Sequence, residues 1–196
     1  MRRSIKIVIT LIAIAIIIYS GVYMRFFRGG PSKEEVIDSL FKYPEILDVT
    51  STAFEAEGRI PVKYTCDGED INPEIRWSQP PENTASLMII MYDPDAPIGY
   101  FIHWVIYDLP SNLQSIPEGI SSREKRAELG RETRNDFGIY GYGGPCPPSG
   151  SEHRYYFIVL ALDTFIGEEI NDPVEAISKA REHIIGIGYI YGWYSR

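Results

Sequence analysis

The sequence predicts a mainly β protein: an antiparallel β-sandwich with peripheral helices, preceded by an N-terminal transmembrane helix. The 196 residues include 14 Tyr, 14 Pro and 17 Gly, a composition that favours strands and turns over a helical bundle. Apolar segments of strand length recur between turns rich in proline and glycine. Two of them, LMIIMY and YYFIVLAL, are apolar on both faces, which is typical of central strands covered on both sides.

The N-terminal helix is predicted from Ile5 to Met24, which reads IKIVITLIAIAIIIYSGVYM and contains a single charge, Lys6. At about 1.5 Å per residue such a helix is roughly 30 Å long, the thickness of a bilayer's hydrocarbon core. A cleaved signal peptide is the alternative, because Arg2 and Arg3 form a basic start. The apolar run is, however, longer than the ~7–15 residues usual in signal peptides. We expect residues 1–28 to form an uncleaved membrane anchor, with the folded domain outside the cytoplasm.

A linker and a short helix are predicted over residues 29–46. Gly29-Gly30-Pro31-Ser32 would end any helix that continues from the membrane. From Lys33 to Phe41, apolar residues recur at helical spacing, which predicts a short amphipathic helix. Residues 47–196 then form the predicted domain.

The strands of this domain are predicted at Leu47–Phe54, Ile60–Thr65, Ser86–Tyr92, Phe101–Leu109 and Tyr155–Leu162. The chain is predicted to end in a helix that reaches about Tyr189. Asn171 or Asp172 would cap this helix, Pro173 suits its first turn, and an apolar stripe would be formed by Val174, Ile177, Ile184 and Ile185.

The charge of the domain excludes one class of partner. Residues 1–30 contain no Asp or Glu, so the rest of the chain carries all 27 acidic residues against 14 basic ones. Such a domain repels phosphate backbones instead of releasing their counterions. We therefore expect no nucleic-acid partner.

The candidate ligand-binding residues lie at strand ends and in turns. His103 lies within a predicted strand, His153 directly precedes the strand that starts at Tyr155, and Asp93 and Asp95 belong to the segment DPDAP. A glycine-rich loop, residues 141–150, leads towards His153. Each feature alone has a structural explanation, since DPDAP suits a turn and a strand histidine is often simply hydrogen-bonded. Together, two imidazoles, carboxylates and free backbone N–H groups suit a phosphate-like anion.

Catalysis and metal binding have weaker sequence support. Ser149 and Ser151 are close to His153, but the first glycine of a nucleophile elbow is missing. His103, His153, Asp93 and Cys146 show no paired ligand spacing such as HExxH or CxxC. We therefore expect no enzymatic activity, no metal and no cofactor.

Five segments, in order, resemble the signatures of the phosphatidylethanolamine-binding protein family. They are TCDGEDINPEIRW, MYDPDAP, HWVIYDLP, NDFGIYGYGGPCPPSGSEHRYYFIVLALD and AISKAREHIIGIGYIYGWYSR. The sequence is most similar to the bacterial and archaeal branch, often described as Raf-kinase-inhibitor-like. The resemblance extends from about Val49 to Arg196, roughly three quarters of the chain.

The resemblance implies a Greek-key sandwich with a C-terminal helix near the mouth of a small anion pocket. By motif position, it implies a pocket formed by Asp93, Asp95, His103, Gly144, Pro145 and His153. Arg154 is implied as a structural support, forming a buried pair with Asp95, and Pro97 as the site of a cis peptide bond after Ala96. Many eukaryotic relatives have a second histidine where this chain has Ile102, so their ligand preference does not carry over.

The function implied is binding of a small anion or a phosphorylated head group, with a regulatory role. Inhibition of a serine protease or a kinase through protein contacts is the alternative, and hydrolysis is a distant third. The resemblance also places Cys66 and Cys146 in loops towards the pocket. They could form a disulfide or remain two free thiols.

Overall fold

Two antiparallel sheets form the fold of residues 30–196, the part of the chain that the computed structural model describes. The helices are α1 (Lys33–Leu40) and α2 (Pro173–Ala180), and short 3₁₀ turns occur at Val62–Tyr64 and Arg181–His183. The strands are β1 (Val49–Thr50), β2 (Ile75–Trp77), β3 (Ser86–Asp93), β4 (Phe101–Pro110), β5 (Ser115–Ile116), β6 (Arg131–Glu132), β7 (Glu152–Leu162) and β8 (Ile184–Ser195).

The strand order confirms the predicted mainly β, antiparallel fold. One sheet has the order β1-β2-β5 and the other has the order β6-β4-β3-β7-β8. Within the larger sheet, β3, β4 and β6 follow one another, and β7 then returns to lie beside β3. This is the order of a Greek key, as the family resemblance implied.

Strand β3 lies between two hydrophobic layers. Leu87, Ile89 and Met91 pack between the two sheets. Met88, Ile90 and Tyr92 pack on the opposite face, in the layer that contains the helices. All eight residues of β3 are buried, which confirms the prediction of a central strand covered on both sides.

Helix α1 covers the outer face of the larger sheet. Its apolar residues Val36, Ile37 and Leu40 are fully buried in the layer that also contains residues of α2. Burial of this kind contributes about 1.5–3 kcal/mol for each large apolar side chain. The helix therefore belongs to the same compact unit as the sheets, which extends from Lys33 to Arg196.

The predicted C-terminal helix is correct in its start and wrong in its end. Asp172 caps α2, accepting a hydrogen bond from the Glu175 N–H (2.9 Å), and Pro173 occupies the first turn. The helix stops at Ala180, and Ile184 begins the 12-residue edge strand β8. One glycine allows β8 to pack closely against a neighbouring segment. A Cβ at Gly188 would lie 2.0 Å from the Leu47 carbonyl oxygen, so the backbones of β8 and of the segment at Leu47 are in direct contact.

Two further strand predictions need correction. Ile60–Thr65 contains a 3₁₀ turn, closed by a hydrogen bond from the Tyr64 N–H to the Pro61 carbonyl (3.0 Å). Within Leu47–Phe54 only β1 is a strand. The predicted membrane anchor, residues 1–28, lies outside the described residues, and residues 30–196 contain no helix long and apolar enough to cross a membrane.

Candidate functional site

The site forms where three neighbouring strands of the larger sheet meet at one end. Because β3 runs antiparallel to β4 and β7, its C-terminal end at Asp93 lies at the same end of the sheet as the starts of both neighbours. Phe101 pairs directly with Asp93, and His153 is the second residue of β7. The topology alone thus brings the DPDAP turn, the His103 strand and the His153 strand together.

A bulge in β4 turns His103 towards this end of the sheet. Ile102 pairs with Tyr92 and Trp104 pairs with Met91, so His103 is an extra residue between consecutive pairs. In a regular strand, Ile102 and Trp104 would face the same side. Here they pack in different hydrophobic layers. A bulge that re-aims a side chain is common next to binding and active sites.

His103 is held by the glycine-rich loop. Its Nδ1 atom lies 2.7 Å from the Gly143 carbonyl oxygen, and its own carbonyl accepts hydrogen bonds from the Gly143 N–H (3.1 Å) and the Asn135 Nδ2 (3.2 Å). Since a carbonyl oxygen can only accept, Nδ1 carries the proton. The Nε2 atom is therefore the ring nitrogen left for a ligand.

His153 is held in the same way by a carboxylate. Its Nδ1 atom lies 2.7 Å from Asp93 Oδ2, and both side chains are more than nine-tenths buried. The second oxygen of Asp93 accepts a hydrogen bond from the Asp95 N–H (2.8 Å), which closes the turn. Both oxygens of Asp93 thus have protein partners, and the His153 Nε2 atom remains for a ligand.

Both histidines line one cavity of about 220 Å³. Apart from Asp93 and the two imidazoles, its wall is apolar or comes from the rim of the glycine-rich loop. The lining residues are Asp93, Ala96, Pro97, Ile98, Phe101, His103, Phe137, Cys146, Pro148 and His153. Helix α2 contributes no residue to this wall, so the expectation of a C-terminal helix at the mouth is wrong for this cavity.

A disulfide ties the rim of the cavity to the neighbouring loop. Cys66 and Cys146, whose Cα atoms are 5.5 Å apart, are bonded, which decides between the two alternatives that the sequence left open. The Cys66 N–H also donates to the Pro145 carbonyl (3.1 Å), and the Gly144 N–H donates to Asp70 Oδ1 (2.6 Å). Gly144 and Pro145 therefore support the rim and do not line the cavity.

The other motif residues of the turn lie beside the cavity. Asp95 forms a two-point ion pair with Arg154, 2.6 Å from Oδ1 to Nη2 and 2.9 Å from Oδ2 to Nε. The pair is exposed, with side-chain exposures of 28% and 52%, so the expectation of a buried pair is wrong. Pro97 lines the cavity, but residues 30–196 contain no cis peptide bond, which contradicts the predicted cis Ala96–Pro97 bond.

Burial controls the charge of His103. It lowers the pKa of His103 below the ordinary value of 6.5, and the Gly143 carbonyl and the Asp93 charge oppose this effect only in part. His103 is therefore neutral at neutral pH in the unliganded protein. The Asp95 carboxyl has a lowered pKa because Arg154 donates hydrogen bonds to it.

Three apolar residues of the site were missed by sequence reasoning. Phe101 and Phe137 flank His103, with ring centroids 5.0 and 5.2 Å from the imidazole, and Ile98 is 83% exposed at the rim. Of the three, only Ile98 had a signal, because it directly follows DPDAP. Phe137 reaches the cavity through a turn after Asn135, whose side chain accepts from the Phe137 N–H (3.0 Å), a placement that no local pattern indicates.

The fold and the site define a class: a β-sandwich protein with a small pocket at one end of its larger sheet, presenting two oriented imidazoles. Comparison with known proteins supports the fold. A sequence profile of the phosphatidylethanolamine-binding protein family matches residues 50–195. The chain belongs to this family, which supports a ligand-binding protein.

Individual relatives are archaeal and bacterial. A UPF0098 protein of Archaeoglobus fulgidus is 46% identical over 146 residues, which make up 74% of this chain and 50% of that protein. The chain thus spans about half the length of this relative. A crystal structure of a phosphatidylethanolamine-binding protein homologue from Chlamydia trachomatis is similar at 34% identity, with a TM-score of 0.69 over 78% of this chain and 99% of that one. E. coli YbcL is similar at 30% identity, with a TM-score of 0.71 over 76% and 98%.

Proposed function

We propose that the chain binds small anionic ligands of the phosphate-ester class in the cavity between His103 and His153. One observation carries this proposal: both imidazoles have Nδ1 bound to a fixed oxygen acceptor, so both Nε2 atoms are available in the same cavity. A protonated imidazole with an oriented N–H is a strong partner for a phosphate oxygen.

The size and wall of the cavity support a small ligand with an apolar part. A volume of about 220 Å³ is below the roughly 300–1,000 Å³ of pockets that hold drug-sized molecules. Ile98 is 83% and Phe137 36% exposed at the rim. A phosphorylated head group joined to an apolar chain would place its anion on the imidazoles and its apolar part against these residues.

The disulfide supports a location outside the cytoplasm for this activity, because structural disulfides persist mainly in oxidising compartments. Protease added to intact cells should then digest the domain, whereas protection until the cells are lysed would contradict this location.

Titration calorimetry with inorganic phosphate and with phosphoethanolamine tests the binding function. Replacing His153 with Ala removes a charge-assisted hydrogen bond worth about 1.5–3 kcal/mol, so affinity for both ligands should fall roughly 10- to 150-fold. His183 provides a matched control, because its Nδ1 also pairs with an aspartate, Asp163 Oδ1 at 2.9 Å, but it lies outside the cavity.

The His183→Ala protein should bind both ligands within twofold of the wild type. Equal affinities in the wild type and the His153→Ala protein would refute the site. Because His153 is buried against Asp93, thermal melting should accompany the titrations, and affinities should be compared at temperatures where both variants are folded.

A further inference from the structure

A basic and aromatic strip lies beside the cavity, on a domain that is otherwise acidic. The strip consists of Arg123, Arg126, Arg134, Phe137 and Tyr140. All three arginines are exposed, in a part of the chain that carries 27 acidic against 14 basic residues. The strip adjoins the cavity at Phe137, which lines it.

Aromatic rings fix the arginines in place. The guanidinium carbons of Arg126 and Arg134 lie 4.3 and 4.6 Å from the ring centroid of Tyr140, and that of Arg123 lies 4.9 Å from the centroid of Phe137. Such contacts reduce the conformational freedom that an arginine loses when it binds a partner. Tyr140 is itself anchored, because its hydroxyl donates to Asn171 Oδ1.

Among the residues that the structure describes, Arg126 and Arg134 have no carboxylate partner. Within residues 30–196, no carboxylate oxygen lies within 4.0 Å of either guanidinium. Each instead donates one hydrogen bond to a backbone carbonyl: Arg126 to Glu132 (3.1 Å) and Arg134 to Gly138 (2.7 Å). Arg123 differs, since it pairs with Asp70. Within the described part of the chain, the strip therefore holds two oriented positive charges, each with one backbone hydrogen bond and no carboxylate partner.

The composition of the strip fits a protein partner. Arg, Tyr and Phe are the residues enriched at the centres of protein interfaces. A partner segment that carries carboxylates would supply negative charges to pair with the positive charges of Arg126 and Arg134.

We propose that the strip binds an acidic, extended segment of a partner protein. Glu or Asp side chains of that segment accept hydrogen bonds from Arg126 and Arg134, and its backbone passes over Tyr140 and Phe137. The strip shares Phe137 with the anion pocket but contains neither His103 nor His153, so peptide binding should not require an anion on the imidazoles.

Fluorescence polarisation with a labelled 12-residue peptide of alternating Glu and Ser tests the proposal on the full chain. At low ionic strength, the Arg126→Gln/Arg134→Gln protein should bind this peptide at least tenfold more weakly than the wild type. The matched control is Arg59→Gln/Arg181→Gln, which removes the same charge. Arg59 also lies on aromatic rings, 5.6 Å from Trp193, but at the opposite edge of the larger sheet, and affinity should stay within twofold.

A measurement on the wild type avoids any folding defect of the variants. Bound peptide should protect Arg126 and Arg134, but not Arg59, from modification by phenylglyoxal, as read by mass spectrometry. The His153→Ala protein should bind the peptide like the wild type, so failure of the anion pocket and failure of the strip give different results.

Other outcomes overturn the proposal. Equal binding of the Glu/Ser peptide to both double variants, or uniform arginine modification, would remove the strip as its site. Loss of binding to vesicles of phosphatidylcholine and phosphatidylglycerol in Arg126→Gln/Arg134→Gln, with no effect on the peptide, would identify the strip as a membrane surface instead.

Discussion

Replacing Cys66 and Cys146 with serine should lower the free energy of unfolding by about 4.5 kcal/mol. The disulfide joins residues 80 apart in sequence. In the chain-entropy treatment, a loop of that length removes about 15 cal/mol/K from the unfolded chain, or roughly 4.5 kcal/mol at 25 °C. The backbone bonds beside it, from the Cys66 N–H to Pro145 and from the Gly144 N–H to Asp70, should hold the folded loop in place without the bridge.

The same loss can be expressed as a melting temperature. At about 2.1 cal/mol/K of unfolding entropy per residue, the unit from Lys33 to Arg196 has an unfolding entropy of roughly 340 cal/mol/K. A loss of about 4.5 kcal/mol should then lower the Tm by roughly 13 °C.

Urea unfolding and calorimetry of three samples would measure this effect: the oxidised wild type, the wild type reduced with a phosphine, and the double serine variant. The reduced protein and the variant should agree with each other within about 1 kcal/mol, because both lack the same constraint. A loss below about 1 kcal/mol in both would refute the reasoning, since it would mean that the bridge does not restrict the unfolded chain as calculated.

Two further predictions concern the site. Phosphate affinity should fall as pH rises, because burial holds the pKa of free His103 below 6.5 and a bound anion raises it. The affinity that protonated His103 contributes is fully present below the free-state pKa and is lost above the bound-state pKa. Calorimetry in buffers of different ionisation enthalpy should show proton uptake, and proton release would contradict this. Gly144→Ala should destabilise the protein by about 2–4 kcal/mol, because its Cβ would lie 2.3 Å from the Tyr64 carbonyl oxygen. Gly30→Ala, where no atom lies within 4 Å, should change the Tm by less than about 1 °C, and equal Tm values for the two variants would contradict the collision.

The central strands were predictable because their pattern has one physical meaning. An apolar run of strand length such as Ser86–Tyr92 can be buried on both faces only between two layers, and β3 is buried in that way. The edge strand β8 was not predictable in this way, because Ile177, Ile184 and Ile185 also fit the apolar stripe of a helix. The alternation of buried and half-exposed residues from Ile190 to Ser195 appears only in the structure, because the sequence there, IYGWYS, is apolar or aromatic on both faces.

The sequence predicted three of the residues that line the cavity, Asp93, His103 and His153, but not the geometry of the site. The motifs located Asp93, His103 and His153 at three strand ends, and antiparallel pairing brings such ends together. The bulge at His103 and the exposure of the Asp95–Arg154 pair depend on register and on solvent. Neither is encoded in local spacing, so sequence reasoning could not supply them.

The two histidine contacts together restrict the protonation state of the ligand. Gly143 fixes the proton of neutral His103 on Nδ1, so Nε2 presents a lone pair to the cavity. A fully deprotonated phosphate also presents only lone pairs, and the two would repel each other. Binding therefore needs a proton between them, supplied either by the solvent to His103 or by the ligand as a P–OH group. Because burial lowers the pKa of His103 below 6.5 in the free protein, its imidazole is neutral near neutral pH. The monoprotonated phosphate ester is then the form that this pocket should select.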